Sequence, residues 1–268
     1  STDKFSIAYN LDLANISPFI QLFDSTLFVA PNSKVSGRFS NSNSEDFSLI
    51  FDSDMVKFAN ITMLNNDLVI NANNVRKADD LLILGYLYSE KQYFASSTET
   101  NNLTFEAVWN GNHIDLEQAL GQESTGNYAA IGATVDFYPN RTELKFEDSN
   151  FLAIGKEWVI SEENIIVFGK NRIDIENLSI YNKDQSLAFD GEIAVLKDSA
   201  KTLNIEFNKV EVANLNSLTM QEYTGTLNGS LKGQNIYYNL LLFGNLTLAD
   251  LKINNFLVGD LSGNLNWN

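Results

Sequence analysis

The sequence predicts an all-β fold: an elongated, strongly curved sheet with an apolar concave face and two or three short helices. Three observations carry this. Apolar and polar residues alternate over many segments, as in Leu240-Leu242-Gly244-Leu246-Leu248, and a strand's side chains point alternately to its two faces. Glycine recurs inside the apolar row. Eight of the 15 glycines (Gly37, Gly85, Gly191, Gly225, Gly229, Gly244, Gly259 and Gly263) have apolar residues at both minus two and plus two. Random placement at 44% apolar content gives about three. Finally, the breakers are Asn, Asp and Ser clusters, with only three prolines. An in-row glycine packs nothing, so its recurrence marks places where the sheet bends over its apolar side, and Gly37, Gly191, Gly229 and Gly263 are the assigned bend positions.

Along the chain, Phe5 to Asn10 and Leu11 to Ile16 alternate as strands. Asn15-Ile-Ser17-Pro18 then offers a cap with proline at the first helical position, followed by Phe19, Leu22 and Phe23 at helical spacing. Strands follow at Val35–Phe39, at Phe47–Phe51 and around Gly85, with a turn expected at Ser89-Glu-Lys-Gln92. Asn110-Gly-Asn112 reads as a turn, and Asp115 to Leu120 as a short helix stopped by Gly121. Further turns fall at Pro139-Asn140, Asn182-Lys-Asp184 and Lys197-Asp-Ser199. Between them, Leu187, Phe189, Ile193 and Val195 share one strand face, as do Leu203, Ile205 and Phe207. Asn214 to Tyr223 reads as a further short helix, and the helices are expected to plug or cover an end of the sheet. Three strands close the chain, from Tyr223, Leu240 and Leu257.

The first and last quarters correspond. Phe5-Ser-Ile-Ala-Tyr-Asn10 matches Leu203-Asn-Ile-Glu-Phe-Asn208. Leu11-Asp-Leu-Ala-Asn-Ile16 matches Val210-Glu-Val-Ala-Asn-Leu215 once Lys209 is read as the extra residue of a β-bulge. Val35–Phe39 matches Leu227–Leu231, and Phe47–Phe51 matches Tyr238–Leu242. The repeat covers about residues 1–75 and 200–268.

Net charge −16 with no run of Lys or Arg argues against nucleic acid as a partner. The absence of cysteine excludes disulfides and thiolate zinc sites. The longest apolar run, Leu81 to Tyr88, is far short of the roughly 20 residues that span a bilayer. A strand pattern close to one end and another running to Trp267 read as an excerpt of a longer protein, soluble as given. No phosphate loop, nucleophile elbow, dinucleotide fingerprint or zinc motif occurs. The single histidine, His113, lies two residues before Asp115 and reads as a turn residue capping the short helix. Glu45-Asp46, Asp79-Asp80 and Glu162-Glu163 read as solvated pairs, and Asp52-Ser-Asp54 lacks the remaining ligands of a calcium loop. The expectation is a protein that is not an enzyme and has no cofactor and no metal.

The stretch from Trp158 to Ile193 resembles a repeating segment of the TamB proteins, in the AsmA-like group of the Gram-negative envelope. The likeness rests on the Trp158 strand, the Asn164-to-Phe168 and Ile173-to-Ile180 strands, then Asn182, Gln185 and Gly191, followed by Leu203–Phe207 and Gly225–Leu231. It is clear over about residues 150–268 and fainter over 1–75. The resemblance implies a periplasmic β-taco, here one segment over 1–268 with flanking repeats of the same chain, anchored to the inner membrane by a helix outside this sequence. It also implies phospholipid movement between the inner and outer membranes, and outer-membrane protein assembly with a TamA-type barrel.

On this basis the expected ligand is a phospholipid or other acyl chain, held in an apolar groove. The floor is assigned to Phe39, Phe47, Leu49, Phe51, Phe189, Ile193, Ile205, Phe207, Leu227, Leu231, Leu240, Leu242 and Leu261. Two alternatives stand beside it. One is a scaffold whose strand edges template barrel proteins. The other is an adhesin or carbohydrate-binding array presenting Trp109, Trp158 and Trp267 on its solvent face.

Overall fold

The computed structural model describes residues 4–41, 45–74, 80–94, 98–153, 155–194, 201–214 and 222–267. Among these the fold is nearly all β. Nineteen strands are hydrogen-bonded into one antiparallel sheet, beside a single four-residue α-helix. The chain divides into two compact units, Ser1–Gly132 and Ala133–Asn268.

In the first unit, β1 (Ser6–Leu13), β3 (Ser33–Ser40), β4 (Asp46–Phe58), β5 (Ile61–Asn73), β6 (Leu82–Phe94), β7 (Thr98–Asn110) and β8 (His113–Gln122) pair each with the next. The short β2 (Leu27–Val29) pairs with the far half of β4, end to end with β3. Helix α1 (Ser17–Ile20) precedes β2 and has the expected proline in its first turn. Its end is held differently from the sequence expectation. No side chain caps it; the Ser17 hydroxyl instead donates to the Val29 carbonyl (2.7 Å) and accepts from the Val29 N–H (3.1 Å), pinning the helix to β2. Phe19, Leu22 and Phe23 do not cover the sheet; all three are exposed, Phe23 at 93%.

The strand β9 (Asn127–Tyr138) carries the boundary between the units. In the second unit, β10 (Arg141–Phe146) pairs with the end of β9 and with β13 (Ile165–Gly169), while β11 (Asn150–Ala153) pairs with β12 (Lys156–Ile160). The strands β12 and β13 then share β14 (Arg172–Asn182), one at each half. From there β14, β15 (Gln185–Ala194), β16 (Thr202–Glu211), β17 (Tyr223–Gln234), β18 (Leu241–Ile253) and β19 (Phe256–Trp267) form a plain meander.

Two further sequence expectations are overturned. Asp115–Leu120 is no helix but the middle of β8. The four-residue spacing of Leu116 and Leu120 fits a period of two as well as a helical one, and Ile114 and Leu116 lie opposite Trp109 and Ala107 of β7. Ser89–Gln92 is no turn but runs through β6. The Ser89 and Gln92 side chains are buried and hydrogen-bonded, so they do not open the strand. The expected turns at Asn110–Asn112, Pro139-Asn140 and Asn182–Asp184 lie between paired strands. The helix expected at Asn214–Tyr223 falls mostly on 215–221, and the turn at Lys197–Ser199 and residue Val195 fall on 195–200, all outside the described residues.

Candidate functional site

The strand registers set apolar side chains in rows across the sheet. In the first unit Leu11, Val35, Phe51, Leu68, Leu87 and Phe105 face one another in sequence from β1 to β7. A second row runs Tyr9, Gly37, Leu49, Ile70, Gly85, Ala107 and Leu116, and a third Ile7, Phe39, Phe47, Ala72, Ile83, Trp109 and Ile114. At about 4.8 Å per strand, seven strands carry these rows over roughly 29 Å. In the second unit Leu178, Phe189, Ile205, Leu231, Gly244 and Leu265 form one row from β14 to β19. Ile180, Leu187, Phe207, Gly229, Leu246 and Gly263 form the next. Beside them, Val210, Leu227, Leu248 and Leu261 align from β16 to β19.

Twelve of the thirteen assigned floor residues lie on these strands. Phe39, Phe47, Leu49 and Phe51 fall in the rows of the first unit. In the second, Phe189, Ile205, Phe207, Leu227, Leu231 and Leu261 fall in the rows just given, Ile193 lies opposite Ile173 and Leu242 opposite Gly233 and Trp267. Leu240 lies outside, in the turn before β18. None of the thirteen is buried, and Leu261 is 48% exposed. The buried apolar residues are few and mostly small or off the rows: Val29, Ala30, Ala72, Ala133, Trp158, Ile160, Ala194, Leu203, Val212 and Leu251. At the β17–β19 end of the face, Leu227, Leu246, Leu248, Leu261, Gly263 and Leu265 line an open cavity of about 340 Å³.

Three of the four assigned bend glycines are demanded by their surroundings. A Cβ on Gly37 would fall within 3.0 Å of both the Ser48 carbonyl and the Tyr9 ring, because Tyr9 lies across Gly37 and its hydroxyl donates to Ser48 O at 2.8 Å. Gly229 has φ +131° and would drive a Cβ into the Asn245 carbonyl; Gly191, at φ +125°, meets Thr202 in the same way. At Gly263 an added Cβ meets nothing within 4 Å. The extra residue Lys209 is the bulge that the sequence comparison predicts: β16 shifts register between Phe207 and Val210, and Lys209 has φ 49°. Similar shifts interrupt β14 near Asn177, β17 at Gly225 and β18 near Asp250. The Lys209 N–H donates to Asn228 Oδ1 (2.8 Å) and the Asp250 N–H to Asp260 Oδ1 (2.9 Å), so a side chain on the next strand satisfies the donor each bulge leaves over.

Tyr9 faces Gly37 across β1 and β3, and its counterpart Phe207 faces Gly229 across β16 and β17. One strand further the correspondence lapses. Leu49 faces Gly37 but Leu246 faces Gly229, and Tyr238 lies in a turn.

Sequence reasoning missed a line of buried polar side chains at one end of the first unit's face. Ser53, Asn66 and Ser89 lie opposite one another on β4, β5 and β6, one alternate position beyond Phe51, Leu68 and Leu87. The Ser33 hydroxyl donates to Ser53 Oγ (2.7 Å), and Asn66 Nδ2 to the Ser53 carbonyl (3.1 Å). Next to them Gln92 Nε2 donates to Ser89 O (2.7 Å) while its Oε1 accepts from the Thr100 hydroxyl (2.9 Å). Ser33, Ser53, Ser89, Gln92 and the Asn66 amide nitrogen thus gain partners that offset their lost hydration, while Asn66 Oδ1 is buried without one. The signal was present: each apolar alternation ends on Ser or Asn in the same phase.

Polar chemistry elsewhere is dispersed. His113 opens β8, and with no helix there it caps nothing; its Nε2 lies 3.0 Å from Asp115 Oδ1 on the exposed side of the strand. The Glu192 carboxyl is held below the usual carboxylate range chiefly by Lys201. Among the described residues no group of three His, Cys, Asp or Glu side chains is placed to hold a metal ion, and no helix is long and apolar enough to cross a membrane. Asp79 lies outside the described residues. Of the three tryptophans, Trp158 is buried, while Trp109 lies opposite Ile83 and Trp267 opposite Leu242. Comparison with protein-family models, with curated proteins and with solved structures finds no match to this chain.

Proposed function

We propose that this chain is a segment of a periplasmic lipid conduit of the TamB and AsmA-like kind, part of an inner-membrane-anchored protein, whose apolar face takes phospholipid acyl chains between the two membranes. One observation carries the reading. Complete cross-strand apolar rows occur in both units, and their members stay half-exposed where a closed sandwich would bury them. Two acyl chains of some thirty methylenes, at about 0.8 kcal/mol each, cost roughly 25 kcal/mol in water. A face of leucine, isoleucine and phenylalanine removes much of that cost without any specific polar site, so neither catalysis nor a cofactor is required.

A second reading has its own observation. The outermost strands are singly paired among the described residues, β1 with β3 and β19 with β18, which leaves backbone edges able to template a strand of a barrel protein.

Native mass spectrometry of the purified chain, with photo-cross-linking from groove and edge positions, separates the two. Lipid captured from Phe189 and Ile205, and lost in folded Phe189→Glu and Ile205→Asp but not in Glu206→Lys, supports the conduit. Equal lipid capture in inner-face and outer-face variants refutes it, and protein captured only at the edges favours the scaffold.

A further inference from the structure

The face of β4 to β8 that turns away from the apolar rows carries a second pattern. Across these strands Ile50, Val69, Tyr86, Glu106 and Glu117 face one another in one row. Ser48, Asn71, Leu84, Val108 and Asp115 form the row on one side of it, and Asp52, Asp67, Tyr88, Thr104 and Ala119 the row on the other. Ile50, Val69, Tyr86, Leu84 and Val108 therefore adjoin, and all but Val69 are more than a third exposed. Val69, Asn71, Leu84, Tyr86, Glu106 and Val108 line an open cavity of about 250 Å³.

Acids stand at two opposite ends of this patch. Asp52 lies opposite Asp67 beside Ile50 and Val69, and Glu106 lies opposite Glu117 beyond Tyr86. Like charges directly opposite each other weaken a strand pair, and these four carboxylates form no salt bridge among the described residues. The three rows hold no Lys or Arg on β4 to β8; the nearest, Lys34 and Arg38, are on β3, opposite Asp52 and Ser48. Such a surface repels anionic membranes and suits a partner that brings apolar side chains together with cations. The strands β5, β6 and β7 are already paired on both sides, so their backbones cannot accept an added strand. The partner must satisfy its own backbone, as a helix does.

We propose that this face of the first unit docks an amphipathic, lysine- or arginine-rich α-helix of a partner protein, lying across β4 to β8. Its apolar stripe packs on Ile50, Val69, Leu84, Tyr86 and Val108. Cations near one end of the helix reach Asp52 and Asp67, and cations near the other reach Glu106 and Glu117, their stems lying along the apolar surface. Four strand spacings of about 4.8 Å make about 19 Å, which a helix of about 13 residues spans. The rows that take acyl chains lie on the opposite face, so this inference does not rest on the lipid reading.

The test uses a fluorescein-labelled synthetic helix of about 14 residues, with leucines on one face and lysines elsewhere. Fluorescence anisotropy with the unmodified chain is expected to show saturable binding that weakens as salt is raised. Versions with glutamate for lysine, or serine for leucine, are expected to bind about tenfold more weakly or worse. In the protein, Asp67→Lys with Glu106→Lys, and separately Leu84→Ser, are expected to weaken binding about tenfold with unchanged far-ultraviolet circular dichroism. Glu163→Lys with Glu206→Lys, at exposed positions of the second unit, makes the same change in net charge and is expected to stay within about twofold. A photo-reactive side chain at Leu84 is expected to capture the peptide, and one at the neighbouring Ile83, on the opposite face, is not. No saturable binding, or equal binding of the glutamate or serine versions, overturns the proposal. So does a loss no greater than in the Glu163 and Glu206 control, capture from Ile83 as strong as from Leu84, or a cross-linked dimer of the chain from Leu84 without peptide.

Discussion

Gly229 and Gly263 lie opposite the same residue, Leu246 of β18 and its row, yet the same substitution should move stability in opposite directions at the two positions. At Gly229, φ is +131°, and an alanine Cβ would enter the Asn245 carbonyl and press on the Leu246 backbone. Holding a non-glycine residue in that region costs about 1–3 kcal/mol. Relieving the overlap by shifting a paired strand costs about 1–3 kcal/mol more. Gly229→Ala is therefore expected to lose about 2–6 kcal/mol. At Gly263 nothing lies within 4 Å and the backbone is ordinary extended strand. There alanine restricts only the unfolded chain and is expected to add about 0.4–1 kcal/mol. Urea unfolding followed by circular dichroism measures both, with the slope checked so that a shift in midpoint reads as stability. Equal shifts in the two variants, or an unchanged midpoint in Gly229→Ala, would refute the claim that backbone contact dictates glycine at 229.

Two further perturbations test the first unit. Gln92→Leu keeps the volume but strips the Ser89 carbonyl and the Thr100 hydroxyl of a buried partner, and is expected to cost about 2 kcal/mol or more in the same unfolding assay; no loss would mean the polar line contributes nothing. The Glu99 carboxyl is held below the usual carboxylate range, first by the Asn101 side chain and then by Tyr93 and Lys91, while Glu99 in turn raises Lys91. A carboxyl depressed on folding contributes stability that is present above its unfolded value and is lost as pH falls through its folded value. Glu99→Gln is therefore expected to flatten the acid side of the stability profile slightly, and an NMR titration placing Glu99 at or above an ordinary glutamate would contradict this.

What could be read in the sequence was whatever depends on a period of two. The strands around Gly37, Gly191 and Gly229, the shared face of Phe189, Ile193 and Ile205, and the Lys209 bulge all follow from alternation and from a one-residue mismatch between two similar segments. Ambiguity entered where a spacing fits two periods, as at Leu116 and Leu120, or where residues that favour turns have another use. Ser89 and Gln92 were such a case, because burial with partners is a property of neighbouring strands and not of the tetrapeptide. Leu240 was assigned to a strand face because the alternation continues through it, but the turn that ends at Leu240 takes precedence. Nor does alternation reveal that Gly263 lacks a close neighbour while Gly229 has one, since that depends on how the adjacent backbone approaches.

The hydrogen-bonded Ser33, Ser53, Asn66 and Ser89 answer a difficulty built into the leucine and phenylalanine rows. Those rows look alike at every second residue, so a strand displaced by two would keep its oily side inward and lose little. Such a displacement would put a serine or asparagine beneath a leucine and strip it of its partners. The hydroxyl and amide line therefore acts as an index mark: it tells otherwise interchangeable ribbons where along their length to stop.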